Sequence, residues 1–140
     1  MHHKALDSEV KDASTIIVGG YGALGAPSTL INSITKSGAK DLHIVTASAG
    51  IMDKGIFPLL EAKKVAKLTT SDISGCPLAQ DLYEKGELEI EMVPLGLLAE
   101  KIRSGGLGLP AFCTTIGAQS PIEYGGIPMK IKNGEVVKTS

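Results

Sequence analysis

Residues Ser14 to Gly20, STIIVGG, form a short β-branched apolar run closed by glycines, and they lead directly into GGYGALGAP and then PSTLINSITKSG. An apolar run of this kind suggests a buried strand of a parallel sheet. In the segment after it, Leu30, Ile31 and Ile34 fall at helical spacing, and Gly38 stops the helix behind Lys36. Pro27 is expected at the first helical position, where its missing N–H has no helical partner. Strand, glycine turn and helix in immediate succession commit a chain to packing helices on parallel strands.

The rest of the chain extends this pattern. Asp41 to Ala47, DLHIVTA, reads as a second strand followed by a glycine turn at Ala49-Gly50. Lys54 to Ala66 reads as a short helix broken at Pro58, and Lys67 to Thr70 as a brief strand. Pro77 to Glu84 is a helix stopped at Gly86, and Leu88 to Val93 alternates apolar and acidic residues like an exposed or edge strand. Gly96 to Arg103 is a short amphipathic helix that Gly105-Gly106 should stop, and Ala111 to Thr115 is expected as a strand. Met129 to Ile131 and Val136 to Lys138 flank Asn133-Gly134, a two-residue hairpin signal.

Strands alternating with helices give an α/β fold with a mainly parallel sheet flanked by helices. At 140 residues the expectation is one domain, 1–140. The pattern closes on the hairpin with no covering helix. An unpaired sheet edge is therefore expected, with another polypeptide completing the fold.

Gly20, Gly22 and Gly25 satisfy the G-x-G-x-x-G spacing. Without side chains, backbone N–H groups can approach a ligand closely, and the helix start behind them favours an anion. A nucleotide-binding Rossmann-like module is one reading. That fold also places an acidic residue at the end of the second strand to hold a ribose. Here that end reads Thr46-Ala47-Ser48-Ala49-Gly50, and Asp41 stands at the strand's start. A tight turn with no ligand role is another reading. Average usage gives about ten glycines in a chain of this length. The chain has 17, clustered at Gly19 to Gly25, Gly105 to Gly108 and Gly117 to Gly126.

Composition narrows the function classes. Fourteen basic residues against 15 acidic ones leave a formal net charge of -1, so no basic footprint for nucleic acid is present. No apolar stretch reaches the roughly 18 residues of a membrane span, and no apolar signal segment opens the chain, which makes the cytoplasm the expected compartment. Cys76 and Cys113 lack metal-site spacing and read as reduced thiols. No metal ligands are assigned. His2 and His3 lie in the terminal tail, and His43 falls inside an apolar run as a packed residue.

Three blocks carry a resemblance to the α subunit of family I coenzyme A transferases, the 3-oxoacid and acetate type. The first contains Asp12, Ile16-Ile17-Val18, Gly19-Gly20-Tyr21 and Gly25-Ala26-Pro27, with Ala13 where glycine is usual and Tyr21 where phenylalanine is usual. The second is GELEIEMVPLGLLAEKIRSGGLGLPAF, from Gly86 to Phe112. The third, Ile122 to Ser140, resembles the family's Gly-Gly-x-Pro hairpin stretch.

The resemblance implies transfer of CoA from an acyl-CoA to a small carboxylic acid, through mixed anhydrides and a glutamyl-CoA thioester. It places the glutamate nucleophile on a β-type subunit, so no catalytic residue is assigned to this chain. Coenzyme A thioester is substrate, and no covalently bound cofactor is implied. Gly19, Gly20, Tyr21, Gly22, Gly25, Pro27 and Gly96 are the positions it implies for CoA or substrate. For Tyr21, packing against the partner subunit competes with substrate contact.

Departures from the family pattern fall on the chemistry. Leu95, between Pro94 and Gly96, occupies the position of an oxyanion-stabilising glutamine. Leucine offers no side-chain donor, although it could pack in the core while a neighbouring main-chain N–H does the donor's work. Lys101 stands where arginine is usual. Cys113 to Gly117 replaces Tyr-Thr-Pro-Thr-Gly, and the usual asparagines are missing from Thr46 to Gly50. The leading expectation is an α-type subunit working in a hetero-oligomer with a β-type chain. A degenerate, non-catalytic subunit or a CoA- or partner-binding module is the alternative within the family. Neither nucleic acid nor membrane is expected as a partner.

Overall fold

The computed structural model describes residues 9–116 and the backbone of the strands Met129–Lys132 and Glu135–Lys138. The residues divide into two compact units, one up to Met92 and one from Val93 onward.

In the first unit, β1 (Thr15–Val18), β2 (Leu42–Thr46), β3 (Val65–Thr70) and β4 (Glu89–Met92) alternate with α1 (Ser28–Lys36), α2 (Phe57–Glu61) and α3 (Pro77–Glu84). The strands form one sheet in the order β1-β2-β3-β4, and every pairing is parallel. Each helix thus crosses between neighbouring strands, and crossovers of one hand along a sequential order lay all the helices on the same face. The core agrees. Val18, Ile44 and Leu68 from the sheet, Ile31 and Ile34 from α1, Leu59 and Leu60 from α2, and Ala79 and Leu82 from α3 form a single buried cluster.

The expected parallel α/β architecture is what the chain adopts, with corrections in detail. β1 is an edge strand, not a fully buried one, and its Ile17 is 59% exposed. Pro27 is not the first helical residue of α1 but the N-cap before it, with ψ 70. Helix α2 keeps only Phe57–Glu61 of the expected Lys54 to Ala66, with Pro58 in its first turn where no N–H is needed. Lys63 turns left-handed behind it, at φ 51, and β3 begins at Val65. Gly86 ends α3 as expected. At φ +71 it accompanies the paired bonds Gly86 N to Tyr83 O and Glu87 N to Leu82 O, a Schellman closure.

Ala13 explains one departure from the family pattern. Its φ is 59, in the left-handed region that glycine enters without strain. Ala13→Gly is expected to stabilise the chain by about 1 kcal/mol, read as a higher urea midpoint at unchanged slope. Asp12 beside it accepts a hydrogen bond from Lys40 N at 3.0 Å, which ties the entry of β1 to that of β2 at the amino edge of the sheet.

The second unit contains α4 (Leu95–Gly106) and the antiparallel pair β5 (Met129–Lys132) and β6 (Glu135–Lys138). Lys132 pairs with Glu135, so the hairpin has the expected two-residue connection, while the turn Asn133-Gly134 itself lies outside the described residues. Gly105 and Gly106 do not stop α4 but form its last turn. The stop is Gly108, at φ +68, with Gly108 N bonded to Gly105 O and Leu109 N to Ser104 O. Ala111 to Thr115 forms no strand. There Thr114 Oγ1 accepts Ile116 N at 3.1 Å, a local bond that competes with sheet pairing. The glycines from Gly117 to Gly126, the start of the third family-like block at Ile122, and His2 and His3 lie outside the described residues.

Candidate functional site

At the carboxyl edge of the sheet, three loops emerge side by side: residues 19–27 after β1, 47–56 after β2 and 71–76 after β3. Ligands of parallel α/β sheets bind at this edge because strand ends and helix starts converge there.

The first loop folds back on itself. Tyr21 and Leu24 exchange both backbone hydrogen bonds at 3.0 Å, a miniature hairpin whose first central residue, Gly22, has φ +58. Gly20, at φ +109, lies so close to Ala26 that a Cβ would stand 2.8 Å from its N. Gly25 has φ +71, and Gly19 faces open space.

The loops then pack tightly within and against one another. A Cβ on Gly22 would meet Ile51 at 2.9 Å, one on Gly55 would meet Gly50 Cα at 2.7 Å, and one on Gly75 would meet Gly50 O at 2.7 Å. Met52 N donates to Gly75 O at 2.9 Å, and Ala49 N to Asp72 O at 2.9 Å. Asp72 staples the second and third loops. Its carboxylate accepts Ser74 N at 2.9 Å, Ser74 Oγ at 2.7 Å and Ser48 Oγ at 3.3 Å.

The two Ser74 bonds, followed by that from Ser48, hold the Asp72 carboxyl below its ordinary value of 3.8. A depressed folded pKa stabilises the fold above the unfolded value, and that contribution is lost as pH falls through the folded value. Asp72→Asn is expected to cost about 1 kcal/mol at neutral pH through its weaker bonds. Urea midpoints of the two proteins should therefore converge below pH 3.8.

What the loops present is apolar and mostly uncharged. Tyr21, Leu24, Ile51 and Met52 are between 47% and 80% exposed, a crown of large side chains on the first two loops. Between those loops lies a cavity of ≈ 330 Å³, with Ala23, Ala26 and Ser28 on one wall and Asp53, Lys54 and Gly55 on the other. Lys54 supplies the cation at this cavity. Cys76, the last residue of the third loop, is fully buried, and burial pushes its thiol pKa up, which makes it unreactive.

Of the positions expected from sequence, Gly19, Gly20, Tyr21, Gly22, Gly25 and Pro27 all lie in the first loop. Leu95 and Gly96 belong to the second unit, where they open α4 behind the N-cap Pro94. Leu95 is 49% exposed, so it does not pack in the core. The first helical bond of α4 is Leu98 N to Pro94 O, and no side chain caps this end. The N–H groups of residues 95–97 thus have no acceptor within the helix. A Cβ on Gly96 would meet Ile116 Cδ1 at 2.8 Å. Sequence reasoning missed Gly55, Gly75, Ser48 and Asp72. The signal was a glycine within five residues of the end of each of the first three strands.

Among the described residues no group of three His, Cys, Asp or Glu side chains could hold a metal, and no helix is long and apolar enough to cross a membrane.

Comparison with known proteins agrees with this arrangement. The mouse mitochondrial succinyl-CoA:3-ketoacid coenzyme A transferase 2A is 44% identical over 121 residues, 86% of this chain and 23% of that one. The A subunit of a probable succinyl-CoA:3-ketoacid coenzyme A transferase from Bacillus subtilis is 40% identical over 116 residues, 83% of this chain and 49% of that one. The chain thus spans about half the length of this bacterial relative. An acyl-CoA transferase from Escherichia coli O157:H7, solved as a thioester complex with CoA, superposes with a TM-score of 0.77 at 20% identity, over 97% of this chain and 31% of that one. A variant of the decarboxylase AibA/AibB superposes at 0.74 and 17% identity, over 99% of this chain and 56% of that one. These two likenesses concern the fold, which hosts more than one chemistry. The family model for coenzyme A transferase matches residues 1–137, and with relatives above 40% identity over most of its length this chain belongs to the coenzyme A transferase family.

Proposed function

We propose that this chain is the α-type part of a CoA transferase that moves CoA between succinyl-CoA and a 3-keto acid, working with a β-type polypeptide that supplies the carboxylate nucleophile. The observation that carries the reading is the carboxyl edge of the sheet. There, glycines at 22, 50, 55 and 75 let three loops pack closely together, while Gly19 and Gly25 of the first loop stay exposed. Such a loop can set N–H groups against an oxygen of the substrate without a side chain intervening. The substrates follow the names of relatives at 40–44% identity, and the partner follows from the bacterial ones being named as one subunit of their enzyme.

The apolar crown supports the partner. Tyr21, Leu24, Ile51 and Met52 project from the loops that frame the proposed site, and clustered exposed apolar side chains mark contact surfaces. In the proposed reaction the partner's carboxylate attacks the thioester carbonyl, and CoA thiolate leaves. The thiolate then attacks the resulting anhydride, so the carboxylic acid departs and an enzyme thioester remains. This chain's part is to orient the acyl-CoA along the first loop and exclude water.

The test is a mixture of the chain with the β-type subunit of a bacterial relative, with succinyl-CoA and acetoacetate supplied and the new thioester followed by absorbance. Exchange that requires both chains supports the proposal. Stable complex formation without exchange would point instead to a non-catalytic subunit.

A further inference from the structure

Among the described residues, positions 20–26 of the first loop make no hydrogen bond to the second loop. The bonds there are local: Tyr21 and Leu24 close the miniature hairpin, and Ser28 N donates to Ala26 O. Contact at Gly22, the buried residue of the hairpin tip, is what locates the loop. Ile51 lies so near that a Cβ on Gly22 would stand 2.9 Å from its Cδ1, and a Cβ on Gly55 would stand 3.3 Å from Gly22 O. Elsewhere the two loops stand apart around the cavity of ≈ 330 Å³. Packing forces fade within an ångström of separation, so a loop held by packing alone follows the surface beneath it.

The second loop, by contrast, is bonded along its length to the third. Ser71 Oγ donates to Ala47 O at 2.5 Å, Ala49 N to Asp72 O at 2.9 Å and Met52 N to Gly75 O at 2.9 Å. Ser48 is at the centre and only 4% exposed. Its hydroxyl donates to Asp72 Oδ2 at 3.3 Å and accepts from Gly50 N at 3.2 Å, while Thr46 Oγ1 donates to its carbonyl at 3.2 Å. Asp72 is fixed in turn by the two Ser74 bonds to Oδ1 and by Thr70 Oγ1, which donates to its carbonyl at 3.3 Å.

One path therefore runs from the third loop to the first: Asp72 carboxylate, Ser48 hydroxyl, Gly50 N–H, then Ile51 against Gly22. Hydrogen bonds to an ionised acceptor are the stronger kind, which stiffens the path at its root. The stretch Thr46 to Gly50 lacks the asparagines usual in the family, and this pair is what holds it here.

We propose that Asp72, acting through Ser48, is a positioning residue for the first loop. The pair sets how far the second loop stands from Gly22, and hence the width of the gap that acyl-CoA enters. The ligand in this statement rests on the transfer reading above, whereas the placement of the loop does not.

Amide exchange followed by NMR on the full chain reads that placement without substrate. Ser48→Ala is expected to speed exchange of the Tyr21 and Leu24 amides about tenfold, the loss of one hydrogen bond at a charged group, although Ser48 bonds to neither. The Leu42 amide, bonded to Lys64 O at 2.8 Å at the amino edge, should keep its rate and so report an intact fold. Asp72→Asn should give a smaller increase, because an amide can hold Ser48 with the bond reversed. Both substitutions together should do no more than Ser48→Ala alone, since they break the same link. In the complex with the β-type subunit of a bacterial relative, Ser48→Ala should raise KM for succinyl-CoA about tenfold at nearly unchanged kcat, whereas mere loss of folded enzyme would lower kcat and leave KM. Should Leu42 speed up equally in Ser48→Ala, Asp72→Asn decides by the same amides. Unchanged exchange at Tyr21 and Leu24 in a folded variant, or effects of the two substitutions that simply add, overturns the proposal. Faster exchange with an unchanged KM overturns its ligand, and faster exchange beside a parent complex that moves no CoA overturns the transfer reading alone.

Discussion

Gly50→Ala is expected to cost at least about 3 kcal/mol and to move the urea midpoint far enough to leave the chain partly unfolded at 37 °C. A Cβ there would stand 2.0 Å from Lys54 O and 3.0 Å from Lys54 C, and the backbone is at φ +115. Real Cβ atoms do not approach main-chain atoms so closely, so the segment between Gly50 and Gly55 would have to move. It cannot move alone. Gly55 lies against both Gly50 Cα and Gly22 O, and Gly75 against Gly50 O, so displacement spreads into the other two loops. Gly38 is the control: a Cβ there meets nothing within 4 Å and its φ is not left-handed, so Gly38→Ala should stay within about 0.5 kcal/mol of the parent. Equal midpoints for the two variants would show that the loops are not interlocked.

Leu95→Gln is expected to raise kcat of the complex with a β-type chain by about 10²-fold while leaving stability within about 0.5 kcal/mol. Leu95 is the first residue of α4 and about half exposed, so exchanging it disturbs no core contact. Glutamine would add a side-chain donor where the family resemblance places an oxyanion, and a preorganised donor is worth roughly 10²–10³ in rate. Steady-state rates with succinyl-CoA decide it. A rise below threefold would show that N–H groups in the first turn of α4 already perform the task.

Much of the fold was legible because its determinants are local. The β-branched run before the glycines set β1, the spacing of Ile31 and Ile34 set α1, and Gly86 set the end of α3. Errors arose where one residue type serves two ends. Gly105 and Gly106 looked like a stop, yet the terminator is the glycine with left-handed φ, Gly108. Ala111 to Thr115 has the composition of a strand, but composition cannot supply a neighbour to pair with. The candidate site divides in the same way. The first loop is visible as a spacing of three glycines within six residues. Its closure against Ile51 and Gly55, and that of the second loop against Gly75, depend on contacts between residues far apart in the chain, which no local spacing encodes. Asp12, part of the family-like block, proved to secure the opposite edge of the sheet.

The sheet order β1-β2-β3-β4 repeats the order of the chain itself. Each strand therefore finds its partner already in place as it leaves the ribosome, and no strand must wait for a later one to fill a gap between it and its neighbour. Growth can proceed from the amino end by successive addition to one margin, each α-helical crossover sealing the strand just laid down. Synthesis at roughly 5–20 residues per second leaves ample time for each addition. Once Met92 has cleared the ribosome, the hydrogen-bonded ladder can close whatever follows it in the chain.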